Sequence, residues 1–564
     1  MLAKDVSKRI SKILLESVKS YFKENRPEVS LPAGMDFSLS VTKDKQHGDL
    51  NSNVAMRLAK LAKVSPQALA KDLTAILKKN IERSNLALYV KRTEVKGGFI
   101  NFWLSDESYR RLLVNIKELG GKFGSSDIGK GKRVNLEFVS ANPTGPLTIA
   151  HGRQAAIGDA LSRILRFCGY HVTNEYYLND HGRQIDLLGR SVENRYRALF
   201  GKDEPMPEDG YMGDYIIDIA KEIKDKKSDS LLEKRPGTER FFTSYAVDYM
   251  MQLINDDLKK FGVNFDEVTS QAKIEERKDV EKILKKLQEK EFIYENESAR
   301  WFASTRFGDD KDRVVVKSDG SFTYLAPDIA YHNDKYSRGY DRLIDLLGPD
   351  HHGYIKRMKA AVQALGHEAK SLDILIVQLV TLMRGGETLS MSTRKGEFIS
   401  LREVLDEIGK DVTRFFFLTR RLDSHLDFDI ELAKKGSQDN PVYYIQYAHA
   451  RICSIKKFSR KKRLQLLFKK NNLGLLNTTP EIELVRKLSE FPFAVVSSAE
   501  VLEPNRLFVY LNELARSFHS FYTECRVVSD DAALSKARLY LVECVRIVLA
   551  NGLGLLNITL PEKM

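Results

Sequence analysis

A chain of 564 residues exceeds what one hydrophobic core usually organises, so about three or four domains are expected. With 43% hydrophobic and 30% charged residues, no run of about 18 apolar residues, and lysines threaded through MLAKDVSKRISKILLES, the sequence supports neither a membrane span nor a signal peptide; a cytoplasmic protein is expected. A net charge of +13 favours a polyanionic partner, nucleic acid first, because each phosphate contact releases counterions, although a basic composition without a specific cause accounts for it equally well.

From Val6 to Phe22 the apolar residues Val6, Ile10, Ile13, Leu14, Tyr21 and Phe22 recur at helical spacing and predict an amphipathic helix. Ser65-Pro66 reads as an N-cap followed by proline in the first helical position. Tyr89 to Leu104 is rich in branched and aromatic residues around Gly97-Gly98, so residues 1–120 read as a small α+β domain. After Gly120-Gly121 and GSSDIGKGKR, Val134 to Val139 predicts a strand, and a Pro/Gly turn follows. Gly152 to Cys168 then carries Ala155, Ala156, Ala160, Leu161, Ile164 and Leu165 on one side of a helix. HVTNEYYLND is strand-like, so strand, helix and strand imply a parallel sheet whose first half is 121–185. Residues 186–310 are charged, largely helical in pattern, and read as an insertion. Apolar segments at Leu343 to Leu347 and Leu372 to Leu379 resume the sheet within 311–400. Beyond Glu403 the pattern is helical through Arg538 to Leu549, with a stop at Gly552, which makes 401–564 an α-helical region.

Three segments carry chemistry. NLEFVSANPTGPLTIAHGRQAAIGDALSRIL, residues 135–165, ends a strand in a turn with Asn142, Pro143, Thr144, Gly145 and Pro146, and puts His151 where the next helix begins. A helix N-terminus offers unpaired amides and the positive end of a dipole, so a phosphate there gains hydrogen bonds and field. A strand–helix turn with a surface histidine is the other reading of that motif alone. GGETLSMSTRKGEFISL, residues 385–401, sets Met391, Ser392, Thr393, Arg394 and Lys395 between glycines; two cations and two hydroxyls suit a leaving pyrophosphate, or equally a solvated basic turn. In SDGSFTYLAPDIAYHNDKY, Pro327 cannot donate to a ladder, so Tyr324 to Tyr331 predicts a bend into a helix with Asp328 and Tyr331 on adjacent turns. A capping role for Asp328 and a polar loop at His351-His352 are the plain alternatives.

Together these residues resemble the arginyl-tRNA synthetase family along nearly the whole chain. The turn and helix are similar to its HIGH region and MSTRKG to its KMSKS loop; NEYYLNDHGRQI, YLAPDIAYH and GPDHHGY stand in the family's order. NPVYYIQYAHARICSI and the closing LLNITLPEKM resemble its anticodon-binding domain. The resemblance implies a class I enzyme that activates L-arginine with ATP, passes it to the terminal ribose of tRNA(Arg), and releases AMP and pyrophosphate. It also implies the fold class: α/β, with a Rossmann-type parallel-sheet catalytic core carrying an insertion, a small α+β N-terminal domain at the tRNA elbow, and an all-α C-terminal anticodon-binding domain. By residue match, His151, Arg394 and Lys395 are catalytic; Asn142, Pro143, Thr144, Gly145, Thr148, Gly152, Met391 and Ser392 join His151 around ATP. Glu137, Asn142, His151, Tyr324, Asp328 and His352 match the arginine pocket. A guanidinium is a planar fork of donors, and two carboxylates, Glu137 and Asp328, are partners that recognise it bidentately where lysine would leave them unpaired. Mg²⁺ accompanies the ATP, and the first step requires bound tRNA. Two departures stand out: Thr148 replaces the first HIGH histidine with Ala150 where glycine is usual, and Ser390 and Arg394 replace the two KMSKS lysines. A threonine hydroxyl brings no charge, so phosphate binding leans on His151, Arg394 and Lys395.

Residues 456–470 hold eight Lys or Arg in fifteen positions, which suits a phosphate backbone or a solvated helix face. Lys456 and Lys457 belong to that run, while Tyr447, Arg451, Phe518 and Phe521 match the family's base contacts, with core packing the other reading of the aromatics. A rival class I synthetase such as one for cysteine would want zinc ligands in the core. Cys168, Cys453, Cys525 and Cys544 are far apart with no Cys-x-x-Cys pair, so no zinc or other protein-bound metal is expected. A non-catalytic tRNA-binding relative is the rival from another class. A monomer without membrane attachment is expected.

Overall fold

The computed structural model describes residues 2–31, 39–42, 44–233, 235–351, 353–389, 399–434, 441–462 and 470–564. At the N-terminus, α1 (Leu2–Asn25) buries Val6, Ile10, Leu14, Val18 and Phe22 along one face. β1 (Ser40–Val41), β2 (Leu50–Ser52), α2 (Val54–Ala62) and α3 (Pro66–Glu82) follow, and the Ser65 hydroxyl caps α3 by accepting from Ala68 N at 3.2 Å. β3 (Val90–Lys96) and β4 (Phe99–Leu104) form a hairpin over Gly97 and Gly98, whose φ values of 59° and 86° only glycine adopts without strain. The sheet order is β1-β2-β4-β3, and α4 (Asp106–Leu119) leads out of it.

The core begins with β5 (Arg133–Glu137), α5 (Ile149–Phe167) and β6 (His171–Leu178), and β5 pairs with β6 in parallel as the βαβ reading requires. The chain then leaves the sheet through α6 (Arg183–Ala198), α7 (Asp214–Lys227) and α8 (Thr238–Phe261), which pack on one another around Leu188, Tyr196, Ile219 and Phe242. It returns in β7 (Glu267–Ser270), parallel to β6. The expected insertion over 186–310 is therefore corrected: a strand of the core sheet lies inside it, and the helical excursion ends near residue 262. Also within or just past that range are α9 (Gln271–Glu276), α10 (Asp279–Glu289) and the antiparallel strands β8 (Ile293–Asn296), β9 (Ala299–Phe302) and β10 (Arg313–Val316).

α11 (Leu325–Ser337), β11 (Arg342–Leu347), α12 (Tyr354–Ala364) and β12 (Leu372–Ile376) complete the five-stranded parallel sheet, in the order β12-β11-β5-β6-β7. The chain moves to one side of β5 and later to the other, so the carboxyl ends of β5 and β11 border the switch point where α/β sheets bind ligands. β13 (Val380–Arg384) and β14 (Glu387–Thr388) come next, followed by α13 (Leu401–Ile408), α14 (Lys410–Thr419), β15 (Leu426–Asp429) and α15 (Ile430–Lys434). β15 pairs in parallel with β13, so the region after Glu403 is not helical throughout. The last helices are α16 (Pro441–Lys461), α17 (Thr479–Glu500), α18 (Asn505–Glu524) and α19 (Ala532–Leu555). α19 is buried on most sides, including Leu539, Val542, Val545 and Val548, because it runs through the middle of the bundle. Gly552 does not stop it: the glycine lies within α19, and a Cβ there would sit 2.4 Å from Leu511 Cδ2. Close helix packing accounts for that glycine.

Candidate active site

Beyond Glu137 the chain turns sharply. Val139 and Ser140 adopt φ of 70° and 38°, a left-handed conformation strained for a β-branched residue and held by its surroundings. The turn closes with Thr144 N donating to Asn142 O at 2.7 Å, and α5 starts behind its N-cap, Thr148. Thr148 N donates to His151 Nδ1 at 3.2 Å. Burial pushes the His151 pKa down to about 4, so the ring is neutral at working pH, and an accepting Nδ1 assigns its proton to Nε2. His151 thus offers one N–H at the start of a helix whose dipole favours an anion. Asn142 is exposed, Thr144, Gly145 and Thr148 are half-exposed, and Pro143 is buried. Gly152 points inward, where a Cβ would meet Leu401 Cδ1 at 2.7 Å; packing of α5 on α13 explains this glycine.

The acids assemble at the switch point. Glu137 closes β5 beside Asp345 of β11 in the parallel register. Between them lies Lys335, fully buried, with Nζ 2.5 Å from Glu137 Oε2 and 2.8 Å from Asp345 Oδ1. Burial alone would lower the lysine pKa, but Asp345 and Glu137 outweigh it and hold the ammonium charged. His332 Nε2 meets Asp345 Oδ2 at 2.9 Å, and Ser140 Oγ donates to Glu137 Oε1 at 3.0 Å. Lys335, His332 and Asp345 are not among the site residues that the sequence motifs mark. From the N-cap of α11 onward, Tyr324, Asp328, Tyr331 and Lys335 follow one another at helical spacing, from a tyrosine 93% exposed to a lysine 0% exposed.

Asp328 lies midway along that face and within electrostatic reach of Glu137, Asp345, His332 and Lys335. Burial, and then the Glu137 and Asp345 charges against the opposing His332 and Lys335, push its pKa up to about 7. Among the described residues its carboxylate has no hydrogen-bond or ion-pair partner, whereas Glu137 is already occupied by Lys335 and Ser140. The two acids converge, but they are not equivalent: one is neutralised from behind and the other is left open. The Tyr177 and Tyr331 rings, with centroids 4.3 Å apart, wall this space.

Met391, Ser392, Arg394 and Lys395, with Ser390, lie outside the described residues, as does His352. Both flanks of 390–398 are tied to the start of α5. Ser400 bridges Thr148, and Leu401 N donates to Leu147 O at 2.7 Å. On the other side the buried Arg153 donates to the carbonyls of Gln378 and Leu379 ahead of β13 and of Arg421 and Ser424, at 2.8 to 3.3 Å. Asp350 and His351 form a short turn after β11, joined by a 3.0 Å contact from Asp350 Oδ1 to His351 Nδ1.

In the C-terminal bundle, Arg451 stands over the Tyr447 ring at 5.7 Å and the Tyr522 ring at 4.9 Å, and His519 stacks on Tyr447 at 5.6 Å. A pocket of about 430 Å³ opens there, lined by Tyr447, Arg451, Lys457, Phe458 and Met564 among others. Phe518 and Phe521 are corrected: both are 0% exposed and belong to the bundle core, so neither meets a base. Lys456 is half-buried with its Nζ 2.5 Å from Glu543 Oε2, whereas Lys457 is exposed. Tyr522 and His519, which the sequence motifs do not mark, flank Phe521 and Phe518 in the same helix and meet Arg451 and Tyr447 instead. Among the described residues no helix is long and apolar enough to cross a membrane.

A parallel sheet whose switch point faces a helix-borne histidine, followed by a helical bundle, is the architecture of a class I aminoacyl-tRNA synthetase. Family models match accordingly: "Arginyl tRNA synthetase N terminal domain" over 2–104, "tRNA synthetases class I (R), catalytic domain" over 113–416, and "DALR anticodon binding domain" over 445–564. The arginine–tRNA ligase of Citrifermentans bemidjiense is 47% identical over 522 residues, covering 92% of this chain and 93% of that protein. That of Bacillus licheniformis is 42% identical over 563 residues, 98% of this chain and 100% of its own. The Thermus thermophilus arginyl-tRNA synthetase structure superimposes with a TM-score of 0.76 at 21% identity, covering 100% of both chains. The chain belongs to the arginyl-tRNA synthetase family and is an arginine–tRNA ligase.

Proposed function

We propose that arginine binds with its guanidinium against the open carboxylate of Asp328. Glu137, backed by Lys335, lines the same space, Tyr324 covers it from the solvent side, and Asn142 and His352 complete it. The single observation that carries this reading is the Asp328 carboxylate, unpartnered among the described residues, beside an already neutralised Glu137. A planar cation supplies the missing partner, and its fork of donors satisfies both oxygens. Asp328→Asn tests it: the arginine KM should rise about 30- to 100-fold, the cost of exchanging a charge-assisted contact for a neutral one. An unchanged KM would overturn the assignment.

ATP then lies along the 142–152 turn with its phosphates at the start of α5. His151 donates from Nε2, the Thr148 hydroxyl adds a neutral donor, and Arg394 and Lys395, with Met391 and Ser392, approach from the loop rooted on Thr148. The arginine carboxylate attacks the α-phosphorus, and the bond to pyrophosphate breaks as the bond to the carboxylate forms. No protein nucleophile is needed; placement and charge compensation carry the step. The arginyl group next passes to the terminal ribose hydroxyl of tRNA(Arg) with loss of AMP, and bound tRNA is required for the first step. The side chains of Asn142, Thr144, Thr148 and His151 include no carboxylate, which is not a donor set for a protein-held Mg²⁺. That ion belongs with the nucleotide's phosphates, and no step is routed through it.

Anticodon bases stack on the Tyr447, His519, Tyr522 and Arg451 cluster, and Lys457 contacts phosphate. The protein works as a cytoplasmic monomer, with the domains divided near residues 120 and 400 and the helical excursion running from about 185 to 262; native mass measurement with and without tRNA tests the first point.

A further inference from the structure

The turn between β5 and α5 has no ladder of its own, so groups outside it set its position. Ser140 Oγ accepts from Tyr177 N at 3.0 Å, and Ala141 O accepts from the Tyr176 hydroxyl at 2.6 Å. Asn142 Oδ1 accepts from Asn179 Nδ2 at 2.8 Å, while Asn142 Nδ2 donates to Gln184 Oε1 at 2.7 Å. Finally the Tyr215 hydroxyl donates to Thr144 O at 2.8 Å. The first three partners belong to β6 and its exit. Gln184 and Tyr215 do not: one opens α6 and the other α7, in the helical excursion.

Those helices share a core of Leu188, Ile219 and Phe242 with Tyr215 packed against it, so Gln184 and Tyr215 ride on one body. Burial raises the Tyr215 pKa, and the hydroxyl stays a donor at any working pH. A Cβ on Gly145 would lie 3.3 Å from the Tyr215 hydroxyl oxygen, so a glycine next to Thr144 keeps the approach to its carbonyl open. Gripped at Asn142 and at Thr144, the intervening peptides cannot rotate independently of the excursion.

We infer that Tyr215 is a positioning residue for adenylate formation, through which the α6–α8 excursion sets the backbone of the nucleotide turn. The inference rests on the reading of that turn as the ATP site. Removing one hydroxyl frees Thr144 and should therefore disturb ATP, while arginine is spared: its pocket lies on α11 and β5, and its one residue from the turn, Asn142, keeps its own contacts to Asn179 and Gln184.

Tyr215→Phe in the full chain, assayed by ATP–pyrophosphate exchange with tRNA present, should raise the ATP KM about five- to tenfold, one lost hydrogen bond. The arginine KM should stay within about twofold of wild type and the thermal transition nearly unmoved. An unchanged ATP KM, or ATP and arginine KM values rising together while the melting temperature falls, overturns the inference. His151→Ala separates it from the underlying reading. If that variant leaves ATP kinetics intact, the turn is not the nucleotide site; if it impairs them while Tyr215→Phe does not, only the role of Tyr215 fails.

Discussion

Asp328 has a pKa raised to about 7 and no partner among the described residues, and the second property supports the first, since no donor holds the charged form against burial. Raised above the roughly 3.9 of an unfolded aspartate, it holds a proton in the folded enzyme between those values. Its contribution to stability is present at acid pH and is lost as pH rises through about 7. Under the proposed assignment arginine binds the ionised form, so binding should expel a proton near and below neutrality, and the arginine KM should climb as pH falls below about 7. Calorimetry in two buffers of different ionisation enthalpy reads that proton directly; a buffer-independent enthalpy at pH 6 would rule it out. His151 has the opposite sign. Lowered to about 4, it stays neutral through the same range, so His151→Ala should cost about 10² in adenylate formation without changing the pH profile. Its signal was legible in the sequence because a histidine at a strand–helix junction marks a position, not merely a composition.

Between elements, the parallel sheet and the α11 helix position the charges, and here the sequence was only partly legible. α3 and α5 announced themselves through capping residues, a proline at N1 and apolar periodicity. β7 did not: its four residues EVTS form an edge strand with Val268 54% exposed, which leaves no apolar run to detect. Nor could spacing show that Lys335, on a helix, meets Glu137 and Asp345 on neighbouring strands, because buried charges are chosen by tertiary neighbours. Lys335→Met would strand two carboxylates and should destabilise the fold by about 3–5 kcal/mol in urea titration. A loss under about 1 kcal/mol would mean that the acids relax or protonate instead. Gly158, where a Cβ would lie 2.3 Å from the Phe138 ring, is the matching test of α5 against β5. Gly158→Ala should cost about 1–3 kcal/mol in the same titration.

Across the whole molecule, a net charge of +13 pointed to a polyanion but not to a surface. The bundle sorts what a list of basic and aromatic residues could not. Lys456 is tied to Glu543 while its neighbour Lys457 has no ion pair among the described residues, and Phe518 and Phe521 are core while Tyr522 and His519 meet the Arg451 cluster. Adjacent positions on a helix face different ways, so motif resemblance located the segment and packing chose the residue. Lys457→Ala should lower the salt slope of tRNA binding by about 1, and Lys456→Ala should leave it unchanged. Equal slopes for both variants would remove the distinction.

In the proposed site an open carboxylate on α11 receives arginine beside a nucleotide held at the start of α5. The most direct test is ATP–pyrophosphate exchange with tRNA present, run with arginine and with lysine on the wild-type chain and on Asp328→Asn. Exchange should depend on arginine, be negligible with lysine, and need about 30- to 100-fold more arginine in the variant. Exchange that Asp328→Asn leaves untouched, or that lysine supports as well as arginine, would contradict it.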